Sequence, residues 1–140
     1  MSDIKHYLII KSTPEKIYKA LTTKEGIACW WTVETEIGNK VGDKNEFNFG
    51  KTYHNIMKIV DLKINNRVEW LCEIGDKEWV GTKLIFEIKK QKTYCVLRFS
   101  HKNWKEVTDF FASCNYHWGY YLRSLKLYCE SGRGTPYTGE

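Results

Sequence analysis

The sequence predicts an α+β fold in which an antiparallel sheet of six to seven strands curves around a long C-terminal helix. Three observations support this prediction. Segments of alternating apolar and polar residues recur through the middle of the chain, an apolar stripe of helical period occupies its last third, and a helix-start signature follows the first strand. A run of strands followed by a helix is typical of layered α+β architectures.

Local signals mark the first strand and the two short helices that follow it. "HYLIIKS" has strand character, and "STPEKIYKAL" places Thr13 as an N-cap before Pro14, which is favoured at the first helical position. A second short helical segment follows, and we expect Gly26 to close it. The apolar residues that share one face of the first helix are Ile17, Ala20 and Leu21.

The stretch "GIACWWT" places two tryptophans side by side, and we expect a strand to begin at Trp30. Consecutive residues of a strand point to opposite faces, so Trp30 and Trp31 would lie on opposite sides. Either protein covers both indoles, or one of them lines a cavity. For each of the two indoles, two roles stay open: packing in the core, or contact with a ligand.

The strands that follow alternate regularly and are joined by two recognisable turns. Asn65-Asn66 connects "NIMKIVDLKI" to "RVEWLCEI", and "KKQK" connects "TKLIFEIKK" to "TYCVLRFSH". We expect Arg67, Glu69 and Glu73 to face solvent. The residues expected on inward faces are Phe47, Phe49, Val68, Trp70, Cys72, Ile74, Leu84, Phe86, Ile88, Cys95, Leu97, Phe99 and His101.

The final helix is predicted from about Glu106 to Glu130 and ends before Gly132. At 1.5 Å per residue it spans about 35 Å, enough to cross a whole sheet. Its apolar stripe contains Phe110, Cys114, Trp118, Tyr121, Leu122, Leu125 and Cys129.

Length and composition limit the class of protein. The 140 residues are 42% hydrophobic and 15% aromatic, with no linker-like segment, so we expect residues 1–140 to form a single domain. The net charge of +5 is scattered along the chain, which does not favour nucleic-acid binding, and no apolar run is long enough for membrane insertion. Five widely spaced cysteines without a CxxC pair indicate reduced, mostly buried thiols and a cytoplasmic protein, and nothing calls for a metal or cofactor.

Four passages together resemble the START-like (SRPBCC) helix-grip superfamily, and within it the homologues of the activator of a heat-shock chaperone's ATPase. These passages are "STPEKIYKALTTKEGIACWWT", "VGDKNEFNFG", "LRFSHKNW" and "NYHWGYYLRSLKLYCESGRGTPY". The resemblance implies a deep, mostly apolar pocket between the long helix and the sheet. Members bind lipids, sterols, polyketides or plant hormones, and some are enzymes that catalyse cyclisation, hydrolysis or aromatic-ring chemistry.

The leading hypothesis is therefore that the protein binds a small apolar or aromatic molecule. A protein-interaction module resembling the chaperone activator, and an enzyme using His101 or His117 for acid–base chemistry, are the alternatives. Each histidine could instead be satisfied by the protein itself, catalytic residues are not assigned, and self-association as a homodimer stays open. The candidate ligand-binding residues are Trp30, Trp31, Phe49, Trp70, Phe86, His101, His117 and Tyr121.

Overall fold

The computed structural model describes residues 1–139 and has the predicted α+β architecture. One antiparallel, curved sheet of seven strands, in the order β1-β7-β6-β5-β4-β3-β2, is combined with two short helices and one long helix. The elements are β1 (Ser2–Ile10), α1 (Pro14–Thr22), α2 (Lys24–Trp30), β2 (Glu34–Glu36), β3 (Lys44–Phe49), β4 (Tyr53–Lys63), β5 (Arg67–Ile74), β6 (Lys83–Lys90), β7 (Cys95–Trp104) and α3 (Asp109–Ser131).

The predicted hairpins are confirmed. Asn65 adopts φ 62° between β4 and β5, and β6 and β7 are joined across residues 91–94. The inward alternation is confirmed on both later strands, since Phe86 pairs with Phe99 and both are buried. Ile74 is an exception on β5: it lies at the strand end and is 51% exposed.

The helices after β1 confirm one prediction and correct two. Thr13 caps α1, because its Oγ1 accepts from the backbone N–H of Lys16 at 3.2 Å. The expectation that Gly26 ends a helix is wrong: α2 runs through it, and a Cβ there would lie 2.6 Å from the Cα of Ala20. The expected strand at Trp30 is also wrong, because α2 extends to Trp30 and the Trp31 N–H donates to the carbonyl of Ile27 at 2.8 Å.

The long helix begins three residues later than predicted. Thr108 is its N-cap, accepting from the backbone N–H of Phe111 at 3.1 Å, and Gly132 ends it with φ 85°. Its apolar stripe packs on the sheet, where the ring centroids of Trp118 and Phe99 are 4.4 Å apart. None of the helices within residues 1–139 is both long and apolar enough to cross a bilayer.

One residue expected to face solvent is buried. Glu69 is only 8% exposed, although it points away from the helical side of the sheet. Its carboxylate lies 2.8 Å from the Arg67 guanidinium and 3.5 Å from the Lys83 ammonium. These long side chains cover the carboxylate while they neutralise it, which the alternation pattern could not indicate.

The C-terminal segment after α3 returns to the residues that follow α2. The backbone N–H of Tyr137 donates to the carbonyl of Trp31 at 2.8 Å, and the N–H of Val33 donates to the carbonyl of Tyr137 at 3.0 Å. The hydroxyl of Ser124 on α3 secures the same region, donating to the Trp30 carbonyl at 2.8 Å. This segment therefore holds Tyr137 and Trp31 close together.

Candidate functional site

A cavity of about 330 Å³ lies between the first half of α3 and one end of the sheet. Helix α3 contributes Phe110, Ser113, Cys114, His117, Trp118 and Tyr121. The sheet and its connections contribute Phe49, Thr52, Tyr53, Asn55, Asp76 and Trp79. Trp31 and Tyr137, joined by the C-terminal segment, complete the lining.

The lining has a buried floor and an exposed rim. The floor residues are Trp31, Asn55, Cys114 and Trp118. The rim residues are Thr52, Tyr53, Ser113 and His117. A small molecule entering past the rim would thus contact mainly aromatic rings.

Asn55 is the polar residue of the cavity floor. It lies on β4, is 3% exposed, and its side-chain amide forms no hydrogen bond with any of residues 1–139. A Cβ built on Gly75 would lie 2.6 Å from Asn55 Oδ1 and 3.6 Å from its Cγ. The amide oxygen therefore points towards Gly75, which has no side chain to displace it.

Trp79 closes one side of the cavity and is held there by hydrogen bonds and stacking. Its indole N–H donates to the Cys114 Sγ at 3.4 Å, and its ring stacks on Trp118 with planes 12° apart. The neighbouring Glu78 carboxylate accepts from the Thr108 hydroxyl at 2.6 Å. The connection between β5 and β6 is therefore fastened to the start of α3.

His101 lies next to Trp79, outside the cavity lining, and both of its ring nitrogens are hydrogen-bonded. The indole N–H of Trp118 donates to His101 Nδ1 at 3.1 Å, so the neutral ring carries its proton on Nε2 and donates it to Thr82 Oγ1 at 2.8 Å. The Thr82 hydroxyl in turn donates to the Trp79 carbonyl at 2.6 Å. Burial lowers the pKa of His101 to about 3, so the ring is neutral near pH 7.

Two titratable side chains of the cavity lining, Cys114 and Tyr121, have a raised pKa. Burial is the main cause that raises the pKa of Cys114 to about 11, so it remains a thiol at neutral pH. Burial also raises the pKa of Tyr121, with smaller contributions from Tyr120 and Tyr137. His117 Nδ1 donates to the carbonyl of Ser113 at 2.8 Å, which leaves Nε2 as the acceptor of the neutral ring.

The structure brings together half of the candidate residues and separates the others from the cavity. Those that line it are Trp31, Phe49, His117 and Tyr121. Those outside its lining are Trp30, Trp70, Phe86 and His101, all of them buried. Trp30 donates its indole N–H to the Ala20 carbonyl at 2.8 Å, and the rings of Trp70 and Phe86 meet edge to face at 5.1 Å. These side chains fill the centre of the interior, so the hollow lies at its end.

An aromatic wall, made of Trp31, Phe47 and Trp70, divides the interior. The indoles of Trp31 and Trp70 stack with centroids 6.2 Å apart and planes 6° apart, and Phe47 lies within 5.0 Å of both. Trp31 faces the larger cavity. Trp70 lines a second cavity of about 220 Å³ beside α1, whose lining includes Asn45.

Sequence reasoning missed Asn55, Trp79 and Tyr137. Asn55 carried a usable signal, because it occupies the inward register of "NIMKIV" in phase with Met57 and Ile59. Trp79 belongs to an irregular connection and Tyr137 follows the last helix, where no periodicity assigns a direction. Within residues 1–139 no group of three or more His, Cys, Asp or Glu side chains is placed to hold a metal ion.

Comparison with known proteins identifies the family of this fold. A family model described as activator of Hsp90 ATPase homolog 1-like protein matches residues 11–130. The solution structure of the Aha1 dimer from Colwellia psychrerythraea is 38% identical, with a TM-score of 0.88, covering 96% of this chain and 100% of that chain. No curated protein matches the sequence.

More distant structures share the fold alone. A protein from Staphylococcus saprophyticus is 16% identical with a TM-score of 0.79, covering 96% of each chain. CalU16 from Micromonospora echinospora is 13% identical with a TM-score of 0.72, covering 90% of this chain and 73% of that chain. The resemblance inferred from the four sequence passages is confirmed: the chain belongs to the family of activator of Hsp90 ATPase homolog 1-like proteins and has its helix-grip fold.

Proposed function

We propose that this protein binds a small aromatic or hydrophobic molecule in the cavity at the start of α3. The observation that carries the proposal is the cavity itself, about 330 Å³ in volume and lined mainly by aromatic rings. Ligand sites in proteins are typically concave, largely apolar and roughly 300–1,000 Å³ in volume. The size favours a guest of one or two rings.

The arrangement of the lining supports binding in preference to catalysis. Offset or edge-to-face contacts with rings such as Trp79 and Trp118 would stabilise an aromatic guest. His101 is outside the lining and has a pKa of about 3, which does not suit acid–base chemistry near neutral pH. The other candidate histidine, His117, lies at the exposed rim.

Protein binding is the rival function, and family membership is its basis. Protein interiors normally pack to high density. A protein that acts only through its surface would therefore be expected to have a filled interior. The cavity volume therefore favours the small-molecule function. The Colwellia relative is a dimer, and self-association of this chain stays a prediction.

The test uses naphthalene as probe and a variant that fills the cavity. Ser113 lines the cavity, whereas its neighbour Ala112 is also exposed on α3 but does not line it. We expect naphthalene to shift backbone amide resonances around Trp79 and Trp118 in the wild-type protein and in A112W. The shifts should disappear in S113W, where the indole occupies the cavity.

Two results would contradict the proposal. One is an absence of saturable shifts in the wild-type protein up to the solubility limit of naphthalene. The other is equal binding by S113W and A112W, which would locate the probe elsewhere.

A further inference from the structure

We infer that the ligand is an uncharged aromatic molecule bearing a hydroxyl or amide group, which the carboxamide of Asn55 recognises by hydrogen bonding. This inference rests on the proposed function and specifies the chemistry of its guest. It concerns the floor of the cavity, where one polar side chain lies among aromatic rings.

The first argument is that Asn55 is buried without a partner. The residue is 3% exposed and its amide forms no hydrogen bond within residues 1–139. Unlike Asn45 Nδ2, its amide atoms are not fully enclosed by protein, so they reach the cavity that Asn55 lines. Buried polar side chains in native proteins are almost always hydrogen-bonded, because a missing partner leaves the loss of hydration uncompensated. Asn55 lines the cavity, so a guest can supply the partner that the protein does not.

The second argument is that Gly75 keeps space for this amide. Its φ lies outside the left-handed region, so the backbone conformation does not require glycine. A Cβ at this position would come within 2.6 Å of Asn55 Oδ1. Because glycine has no side chain, the amide oxygen of Asn55 can face Gly75, and the amide nitrogen then points away from Gly75.

The third argument concerns charge. Within residues 1–139 the cavity lining contains one carboxylate, Asp76, and neither lysine nor arginine. An anionic guest would bring a second negative charge into a poorly hydrated space without a cation to neutralise it. Carboxylates such as fatty acids are therefore disfavoured. A hydroxyl or amide suits Asn55 better, because an amide side chain both donates and accepts.

The experiment compares three probes that share one ring system: naphthalene, 2-naphthol and 2-naphthoate. Dissociation constants come from amide chemical-shift titrations at neutral pH, for the wild-type protein and for N55L. We expect N55L to lower the affinity for 2-naphthol relative to that for naphthalene by roughly three- to tenfold compared with the same ratio in the wild type, which is the effect of one ordinary hydrogen bond. In the wild type, 2-naphthoate should bind more weakly than both neutral probes.

A second variant tests the same contact without changing Asn55. G75A would displace the carboxamide, so it should weaken 2-naphthol binding more than naphthalene binding. It also keeps the test decisive if N55L fails to fold.

The outcomes separate this inference from the proposed function. If naphthalene binds but N55L and G75A leave the ratio of the 2-naphthol and naphthalene affinities unchanged, the role of Asn55 is refuted and the binding function stands. Tighter binding of 2-naphthoate than of 2-naphthol would refute the uncharged ligand class. If none of the three probes binds, both proposals fail.

Discussion

The indole N–H of Trp118 on α3 donates to His101 Nδ1 on β7 at 3.1 Å, which connects the long helix to the sheet through a buried polar contact. The same histidine reaches Thr82 through Nε2, so both ring nitrogens are satisfied. Because each ring nitrogen has one partner, the contribution of each hydrogen bond to stability can be measured by replacing that partner.

Replacing Trp118 by Phe should destabilise the fold more than replacing Trp104 by Phe. Both indoles are buried, at 3% and 1% exposure, but the Trp104 N–H has no hydrogen-bond partner within residues 1–139. W118F leaves His101 Nδ1 without a donor, which costs about 1–3 kcal/mol beyond the loss of ring volume common to both variants. Urea denaturation of the two proteins measures the difference. Equal unfolding free energies would show that the His101 contact contributes nothing.

Acidification should destabilise the protein through His101. The folded-state pKa is about 3 and the ordinary value is 6.5, so between these limits the unfolded chain binds a proton that the folded protein does not. Stability is therefore complete above about pH 6.5 and falls as the pH decreases towards about 3, by up to about 1.4 kcal/mol per pH unit.

The comparison variant for this effect is H101Q. Glu130 also has a lowered pKa, chiefly through the backbone N–H of Lys11, and loses stability in acid as well. Its contribution is common to both proteins and cancels when their unfolding free energies are subtracted at each pH. A difference that does not vary between pH 6.5 and 3 would contradict the assignment.

Replacing Asn55 by Leu should stabilise the unliganded protein, by at most about 1 kcal/mol, because the amide it removes has no partner within residues 1–139 although its atoms still reach the cavity. Asn45 is the comparison residue, also buried on a neighbouring strand. Its Nδ2 has no partner within residues 1–139, but its Oδ1 accepts from the Gly38 N–H at 2.9 Å, and N45L would leave that N–H unpaired. N45L should therefore destabilise the fold. Thermal unfolding of both variants checks the opposite signs, and a loss of stability in N55L would indicate that the amide has a partner in solution.

Two helical glycines should respond in opposite ways to replacement by alanine. At Gly26 a Cβ would lie 2.6 Å from the Cα and 2.8 Å from the carbonyl oxygen of Ala20, so G26A must push α1 and α2 apart. We expect a loss of about 1–3 kcal/mol. At Gly119, on the exposed side of α3, the nearest atom is 3.7 Å away, and G119A should stabilise by about 0.5–1 kcal/mol through helix propensity. Calorimetric unfolding gives both values, and stabilisation by G26A would refute the close approach.

The predictable parts of this fold were those determined by neighbouring residues. Thr13 with Pro14, the Asn65 turn and Gly132 act over a few positions, and strand alternation continues for eight or more residues. Helix α2 has only seven residues, too few for its period to be distinguished from the start of a strand, so Trp30 was placed wrongly.

The candidate site was less predictable, because most of its residues are brought together by contacts between distant segments. Trp31 and Phe49 could be proposed from aromatic patterning, but Tyr137 reaches the cavity only because its backbone pairs with Trp31 and Val33. Trp79 is oriented by the thiol of Cys114, thirty-five positions along the chain. The residues next to Trp79 or Tyr137 in the sequence do not indicate these contacts between distant segments.

The stacked pair Trp31 and Trp70 has a consequence for the shape of the interior. Trp31 lines one hollow and the ring stacked on it, Trp70, lines the other, so small residues at both positions would bring the two hollows together. The length of the hollow space would then depend on ring size at these two positions, while the sheet and its long helix stay unchanged. Under the proposed function, substitutions at these two positions would admit a longer guest without any change of fold.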